Sequence, residues 1–338
     1  MKVVKNNIKL ALLLLIIAVF LSSCNMNSYS TGFNLIAYEN NLEPKAYYCP
    51  KDDCMQVFIN NINSANETIH CAFYDLQLKK LINAFSNTTI NTQIIIDSEY
   101  YKKNEELYND INHLIKPYYS NSYMHHKFCV IDEKITITGS FNPTNRGNYY
   151  NNNNIVVVYS EYIAKNYINE FKNLWHNKKK RIKTPHPIVY LNNNKIENHF
   201  CPDECYSKIY TNLINNANKN IYFMTFSFTR DDIGDSLINA HTNNLTIKGV
   251  FEKSQNNKWL EYSKLKDAGL DVRWDKNPKN MHHKVFIIDN EITITGSTNP
   301  SNNGFTRNQE NIIIFYNKNL TSKYFKEFEY IYHNLTEK

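Results

Sequence analysis

The sequence predicts an α/β protein made of two similar halves, each with a mixed sheet packed against helices. The first observation is an internal repeat, because residues 123–127 (Tyr-Met-His-His-Lys) recur as residues 280–284 (Asn-Met-His-His-Lys). The second is that residues 134–140 recur as residues 291–297 at the same spacing of 157. The third is that predicted strands alternate with helices in both halves. A repeat of this length predicts equivalent residues around a pseudo-twofold axis.

The repeat covers most of the chain, and its spacing changes where loops differ in length. Cys49 matches Cys201, and Ile69 matches Ile221. Each half is predicted to run through a helix, a strand, a helix, a strand, a helix, a hairpin with the His-Lys pair and a terminal helix. The first two predicted strands span residues 70–74 and 93–97 in the first half, and residues 222–226 and 246–252 in the second.

The predicted domains are residues 46–183 and 197–338, joined by a linker at residues 184–196. The basic run 178–183, followed by Pro185 and Pro187, marks the boundary between them. We interpret this run as a solvated connector and not as a nucleic-acid patch.

Residues 1–24 are predicted to be an export signal. Three lysines precede an apolar stretch of twelve residues at 10–21, which falls short of the ~20 residues that a membrane-spanning helix needs. The stretch ends in Leu-Ser-Ser-Cys24, which resembles a bacterial lipoprotein box. This resemblance implies a lipid on Cys24 and an exported protein held on the outer face of the cell membrane. A plain secretory signal and an uncleaved anchor helix are the alternatives.

The charge of the chain is weakly basic. The formal charge is +6, and it falls by three to +3 for a chain that starts at Cys24 and lacks the three lysines. This charge suits a substrate that carries phosphate. A nucleic-acid binder that relies on counterion release usually has a denser basic face.

Six cysteines follow Cys24, and an even number outside the cytoplasm favours disulfides. Two close pairs, Cys49 with Cys54 and Cys201 with Cys205, are predicted to be local clips beside helix starts. A zinc site made of these four thiols is the alternative.

The other two cysteines, Cys71 and Cys129, align with Phe223 and Phe286 of the second half. Because an apolar pair of cysteines in one half stands where the other half has an apolar pair of phenylalanines, we predict that the two positions face each other in the core. We therefore expect a disulfide between Cys71 and Cys129, with two free buried thiols as the alternative.

The repeated hairpin carries the candidate chemistry. Residues two apart in a strand share a face, so His125 projects with Lys127 and His282 with Lys284, while the histidine between them points away. Asp132 and Asp289 follow at predicted turns. The returning strand then brings back a hydroxyl and an amide, namely Ser140 and Asn142 in the first half and Ser297 and Asn299 in the second.

The complete pattern, His-x-Lys-x4-Asp-x6-Gly-Ser-x-Asn in two copies, resembles the phospholipase D superfamily, and the resemblance covers the chain after about residue 45. It implies two pseudo-symmetric α/β sandwich domains with one active site at their interface. One of His125 and His282 would attack phosphorus to form a phosphohistidine, and the other would protonate the leaving alcohol and then activate water.

The resemblance also implies roles for the other motif residues. Lys127, Lys284, Asn142 and Asn299 would bind the phosphate oxygens, with Ser140 and Ser297 as supporting donors. Asp132 and Asp289 complete the catalytic motifs, and we interpret them as structural anchors more than catalysts. These residue types supply a nucleophile, an acid and positive charge, so we expect hydrolysis with no metal or other cofactor. Both motifs lie in one chain, which favours a monomer.

One position departs from the family pattern. The family usually places an acidic residue downstream of each motif to orient a histidine. Glu310 fills this position in the second half, but Asn153 stands at the matching position of the first. An amide accepts a hydrogen bond but stabilises a charged imidazole less than a carboxylate does. We therefore expect His282, supported by Glu310, to be the nucleophile.

The sequence leaves three functions open. A phospholipase D that acts on lipid head groups is favoured by the predicted membrane tether, which would hold the site near a bilayer. A nuclease is the alternative within the same family. A non-catalytic phosphate-binding module is suggested only by Asn153.

Overall fold

The computed structural model describes residues 36–178 and 181–337. The predicted signal at residues 1–24, with Cys24, lies outside these ranges. Within them, no helix is both long enough and apolar enough to cross a membrane.

The first half contains a seven-stranded mixed sheet with helices on both faces. Its strands are β2 (Lys45–Cys49), β3 (Thr68–Phe73), β4 (Asn91–Asp97), β5 (Ile115–Tyr118), β6 (Lys127–Ile131), β7 (Ile135–Gly139) and β8 (Asn153–Tyr159). Its helices are α1 (Cys54–Asn63), α2 (Lys79–Asn87), α3 (Ser98–Lys103), α4 (Asn145–Tyr149) and α5 (Glu161–Trp175). The strand order is β2-β8-β7-β6-β3-β4-β5.

The second half repeats this arrangement and extends it by two strands. Its sheet contains β1 (Ile36–Glu39), β9 (Ile188–Leu191), β10 (Asn194–Cys201), β11 (Asn220–Thr225), β12 (Thr246–Phe251), β13 (Asp271–Trp274), β14 (Lys284–Ile288), β15 (Ile292–Gly296) and β16 (Glu310–Tyr316). Its helices are α6 (Lys208–Asn215), α7 (Asp231–Thr242), α8 (Tyr262–Asp267), α9 (Asn302–Thr306) and α10 (Lys318–Asn334). The strand order is β1-β9-β10-β16-β15-β14-β11-β12-β13, so the last seven strands match the first sheet position by position.

The predicted fold class is confirmed, but two strands lie where the sequence predicted none. Strand β1 precedes the predicted first domain and pairs in parallel with β9 of the second sheet. Strand β9 and the start of β10 lie inside the predicted linker 184–196. The physical reason is a hairpin: Asn192 and Asn193 have φ values of 50° and 63°, the left-handed conformation that two-residue hairpin turns require.

The core has three parts. The central part lies between the two sheets and is formed by both halves, with Phe128 and Tyr167 from the first and Val285 and Phe328 from the second. Each sheet also packs its other face against the outer helices of its own half. Because the central core needs both sheets, the two halves pack as one unit around the residues described below.

The disulfide prediction at Cys71 and Cys129 is confirmed. The two residues are register partners on β3 and β6, and their Cα atoms lie 4.0 Å apart in a disulfide. Phe223 and Phe286 are partners at the equivalent position, with ring centroids 5.4 Å apart. A zinc site is wrong for the remaining thiols, because they form the disulfides Cys49–Cys54 and Cys201–Cys205.

Candidate active site

The hairpin between β6 and β7 is fixed by the aspartate of the motif. Asp132 has a φ of 53°, and its carboxylate accepts hydrogen bonds from the backbone amides of Asn66, Glu67 and Thr68 at 2.7–3.2 Å. Asp289 does the same for residues 218–220. Both aspartates lie at the end of the strand away from the lysine. This placement fits their interpretation as anchors, and their grouping with the catalytic residues stays a prediction for mutagenesis.

The glycine of each motif lets two strands come close together. Gly139 and Gly296 have φ values of 149° and 132°. A Cβ atom at these positions would lie 2.2 Å from the Asn154 carbonyl oxygen and 2.3 Å from that of Asn311. Only glycine fits this approach, which brings β8 and β16 against the strands that return from the hairpins.

The two histidine segments are held by backbone hydrogen bonds that cross between the halves. The amide of His125 donates to the carbonyl of Gln309 at 2.9 Å, and the amide of His282 donates to the carbonyl of Asn152 at 2.8 Å. Gln309 and Asn152 are equivalent positions of the repeat, 157 residues apart. Each histidine is therefore positioned by the opposite half.

The side chains of the two histidines are also supported across the interface. Nδ1 of His125 lies 2.8 Å from a carboxylate oxygen of Glu310. Nδ1 of His282 lies 2.8 Å from the amide oxygen of Asn153 and 3.1 Å from the carbonyl of Ser140. The sequence-based expectation that Glu310 supports His282 is wrong, because the support comes from the other half. With Nδ1 bonded to an acceptor, each ring keeps the lone pair on Nε2 for chemistry.

The two motif lysines are buried beside the histidines. Lys127 and Lys284 are 1% and 2% exposed. Nζ of Lys127 donates to the carbonyl of His125 at 2.6 Å. Nζ of Lys284 donates to the carbonyl of His282 at 3.0 Å and lies 3.3 Å from Nε2 of the same residue. Each lysine thus bonds to the backbone of its own motif histidine, where its ammonium form would give positive charge to a bound phosphate.

Burial shifts the titration of every group in this cluster. It lowers the pKa of Lys127 to about 7 and, together with Lys127, lowers the pKa of Lys284 well below its ordinary value. Burial and the two lysines hold the pKa values of His125 and His282 well below the usual range. Burial raises the pKa of Glu310 to about 7, although Lys127 opposes this. Both imidazoles are therefore neutral in the empty site at neutral pH.

The asparagines and serines of the motifs differ in their hydrogen bonding. The side-chain oxygens of Asn142 and Asn299 are buried and accept no hydrogen bond from the described residues, so these amides are available to a ligand. Ser140 accepts from the backbone amide of Asn154 at 3.0 Å, and Ser297 accepts from that of Asn311 at 3.0 Å. The serines thus brace the loops that carry the asparagines.

Residues 58–175 and 210–332 each match the protein family described as "Cardiolipin synthase, PLD-like domain". These two segments are the halves that meet around His125 and His282. The chain belongs to the phospholipase D superfamily. It is accordingly a phospholipase D-like phosphodiesterase, a hydrolase.

Two curated relatives agree with this membership, and one solved structure shares the fold. A phospholipase D of Rickettsia conorii is 32% identical over 138 residues, 40% of this chain and 69% of the relative. A mitochondrial cardiolipin hydrolase of Chlamydomonas reinhardtii is 27% identical over 117 residues, 34% of this chain and 52% of the relative. The phosphatidylserine synthase of Haemophilus influenzae shares the fold, with a TM-score of 0.65 at 13% identity over 86% of this chain and 87% of that one.

This phospholipase D-like site has a buried layer that the sequence interpretation left without a role. Nε2 of His126 lies 2.9 Å from Glu170. Arg181, in the basic run, bonds to both Glu170 and Gln309. The repeat could have indicated this contact from the sequence, because Glu170 matches Glu327 at the spacing of 157. Glu327 makes the equivalent contact in the second half, 3.8 Å from His283. Arg181 is therefore a structural contact behind the site and not a solvated connector residue.

Aromatic rings lie against both motif histidines, His125 and His282. The centroid of Tyr74 lies 4.7 Å from that of His125, and the centroid of Phe226 lies 4.7 Å from that of His282. These residues directly follow β3 and β11 and are equivalent in the repeat. Each ring limits the movement of its histidine on one side.

Among the residues that the structure describes, no group of three or more His, Cys, Asp or Glu side chains is arranged to hold a metal ion. Metal-independent hydrolysis stays a prediction for experiment.

Proposed function

We propose that this protein hydrolyses the head-group phosphodiester bond of phospholipids through a covalent phosphohistidine on His125, without a metal ion. The observation that carries the proposal is the contact of Nδ1 of His125 with the buried carboxylate of Glu310. A nucleophilic imidazole becomes positively charged when it is phosphorylated, and a carboxylate stabilises that charge better than the amide of Asn153. The names of the two relatives, phospholipase D and cardiolipin hydrolase, support a lipid substrate.

In the first step, Nε2 of His125 attacks phosphorus and the bond from phosphorus to the alcohol oxygen breaks. His282 gives its proton to that oxygen, so the alcohol leaves neutral. Burial disfavours a protonated His282 in the empty site, but the negative charge of a bound phosphodiester favours it. Lys127, Lys284, Asn142 and Asn299 would hold the non-bridging oxygens.

In the second step, the now neutral His282 accepts a proton from water, and the water oxygen attacks phosphorus. The bond from phosphorus to Nε2 of His125 breaks, and its electron pair returns to the imidazole. The products are a phosphate monoester and the free enzyme with His282 protonated again, so the two histidines exchange no net proton over the cycle.

A substrate panel tests the proposal. The folded protein would be given labelled phosphatidylcholine, cardiolipin and single-stranded DNA, each with and without excess chelator, with His125→Ala as the inactive control. We expect lipid hydrolysis that chelator does not change. Faster cleavage of DNA would replace this proposal with a nuclease, and binding without turnover would leave a phosphate-binding module. Loss of activity in chelator with recovery on a divalent ion would refute metal independence.

We further propose that the protein is exported and tethered to the outer face of the membrane through Cys24, and that it acts as a monomer. The three disulfides support an oxidising compartment. Incorporation of labelled fatty acid that is lost in Cys24→Ala tests the tether. Light scattering of the active protein tests the monomer.

A further inference from the structure

A cavity of about 360 Å³ opens beside His282. The first half supplies most of its lining, including Asp75, Asn142 and Asn151, and the second half supplies only Asn280 and His282. Apart from the ring of Tyr100, the lining side chains are polar or charged. The cavity therefore belongs to one side of a pseudo-symmetric site.

The proposed chemistry decides which part of the substrate this cavity receives. In an in-line displacement at phosphorus, the leaving oxygen lies opposite the attacking nitrogen. With His125 as nucleophile, the leaving oxygen is next to His282, which protonates it. The alcohol attached to that oxygen, the head group of the lipid, then extends into the cavity beside His282. This step rests on the proposed function.

We infer that this cavity binds a hydroxyl-bearing head group of the glycerol type, with or without a second phosphate, and disfavours choline. Its walls offer hydrogen-bond acceptors that lack donors. The side-chain oxygens of Asn142 and Asn151 are buried and accept no hydrogen bond from the described residues. An unmet buried acceptor costs about 1–3 kcal/mol. The hydroxyl groups of glycerol can donate to these oxygens, whereas a trimethylammonium group has no donor.

A buried carboxylate adds further acceptor capacity. Asp75 is 7% exposed and accepts from Gln77 and Asn104 at 2.8–3.0 Å. An ionised carboxylate has about four acceptor positions, so these bonds leave room for a ligand hydroxyl. The equivalent residue of the second half, one position after Phe226, is Ser227. The carboxylate of Asp75 is thus present only on the side of the site where the head group would leave.

The charges around the cavity oppose a cationic head group. Lys103 and Arg146 line it together with Asp75, giving one more positive charge than negative. The ring of Tyr100 is no aromatic cage for choline, because Nζ of Lys103 lies 5.5 Å from its centroid and the ring of Tyr74 lies 4.3 Å away. The same two cations suit a second phosphate on the glycerol, as cardiolipin carries.

The test compares lipids that differ only in head group. The full chain would be assayed in neutral detergent micelles with phosphatidylglycerol, cardiolipin, phosphatidylethanolamine and phosphatidylcholine at equal mole fraction. We expect kcat/KM for the two glycerol lipids to exceed that for phosphatidylcholine at least tenfold. Equal values, or a preference for choline, would overturn the inference while leaving the proposed lipid hydrolysis intact.

Variants locate the selectivity. Asn151→Leu removes an acceptor at similar size, and Lys103→Gln removes a cation. Each should lower the ratio of kcat/KM for the glycerol lipids to kcat/KM for phosphatidylcholine several-fold. Lys102→Gln, an exposed neighbour that does not line the cavity, is the matched control. An unchanged ratio in both variants would refute this cavity as the head-group site. Turnover of bis-(p-nitrophenyl) phosphate without any lipid hydrolysis, or a preference for single-stranded DNA, would instead refute the proposed function.

Discussion

Glu310 of the second half bonds to Nδ1 of His125 in the first half at 2.8 Å. The equivalent contact, from Asn153 to His282, has the same length but no charge. The two histidines therefore share one geometry and differ in the electrostatic support of the ring. Five expected outcomes rest on this difference and on the anchors and disulfides around the site.

Glu310→Gln should reduce kcat by about two to four orders of magnitude, because a neutral amide does not stabilise the phosphorylated imidazole. The pKa of Glu310 is raised to about 7, and its ionised form is the active one. The kcat of the wild type, which reports the complex where the bound phosphodiester keeps His282 protonated, should then fall as the pH drops through about 7. This acid limb should be absent in Glu310→Gln, as a pH series would show.

Asn153→Asp is the matched variant on the other side. A carboxylate there would raise the pKa of His282 and would keep it protonated to higher pH. We expect a basic limb shifted upward and little loss of kcat at pH 6. An equal loss of kcat in Glu310→Gln and Asn153→Asp would mean that the two histidines do not need different partners at Nδ1.

His125→Ala and His282→Ala should both abolish lipid turnover, but only one should still form the covalent intermediate. With bis-(p-nitrophenyl) phosphate, whose leaving group needs no acid, His282→Ala should release one equivalent of nitrophenol and retain the p-nitrophenyl phosphoryl group on His125. His125→Ala should release none. An acid-labile p-nitrophenyl phosphoryl group on His282, found by mass spectrometry in His125→Ala, would reverse the assignment.

Asp132→Asn should lower the free energy of unfolding by about 1–2 kcal/mol and leave kcat of the folded protein nearly unchanged. Asparagine tolerates the positive φ but accepts the amides of residues 66–68 more weakly. Burial acts to raise the pKa of Asp132, but the amides of Thr68, Asn66 and Glu67 outweigh it and lower the pKa. This stabilisation is therefore present above pH 3.8, the usual pKa of Asp, and is lost as pH falls through the lower folded value.

Urea denaturation at pH 7 and pH 3 measures the effect. The difference between wild type and Asp132→Asn should shrink at the lower pH. Asp289→Asn is the control in the second half, and a large loss of kcat in either folded variant would give the aspartate a chemical role.

Replacing Cys71 and Cys129 by alanine should destabilise the protein more than replacing Cys49 and Cys54. The sequence separations are 58 and 5 residues. In the chain-entropy model these loops correspond to about 4 and about 2 kcal/mol. Thermal unfolding of the two double variants checks the order. Recovery of Cys71 and Cys129 as free thiols in the unreduced, unfolded protein would contradict the disulfide itself.

The sequence alone was enough to predict the repeat, the two sheets and the motif residues, because each depends on local pattern. It also predicted the Cys71–Cys129 disulfide, since the repeat aligns these cysteines with Phe223 and Phe286. These inferences compare one half with the other. They need no knowledge of how the halves pack.

The support of the histidines could not be found in this way. Alignment by repeat places Glu310 with the motif of its own half, whereas the pseudo-twofold packing brings it to His125. The carboxylate of Asp75 was missed for a related reason, since its counterpart is Ser227 and a repeat search discards such differences. Residues that distinguish the two sides of the site are those that the repeat does not match.

Strand β1 has a consequence for any shortened form of the protein. It covers the outer edge of β9 through residue pairs 36–39 with 188–191, and the rings of Tyr38 and Tyr190 stack at 5.0 Å. A chain trimmed to residue 46 would expose the unpaired amides and carbonyls of β9. Open edges of this kind pair with other chains. Such a chain should self-associate at the edge of the second sheet, far along the sequence from the cut.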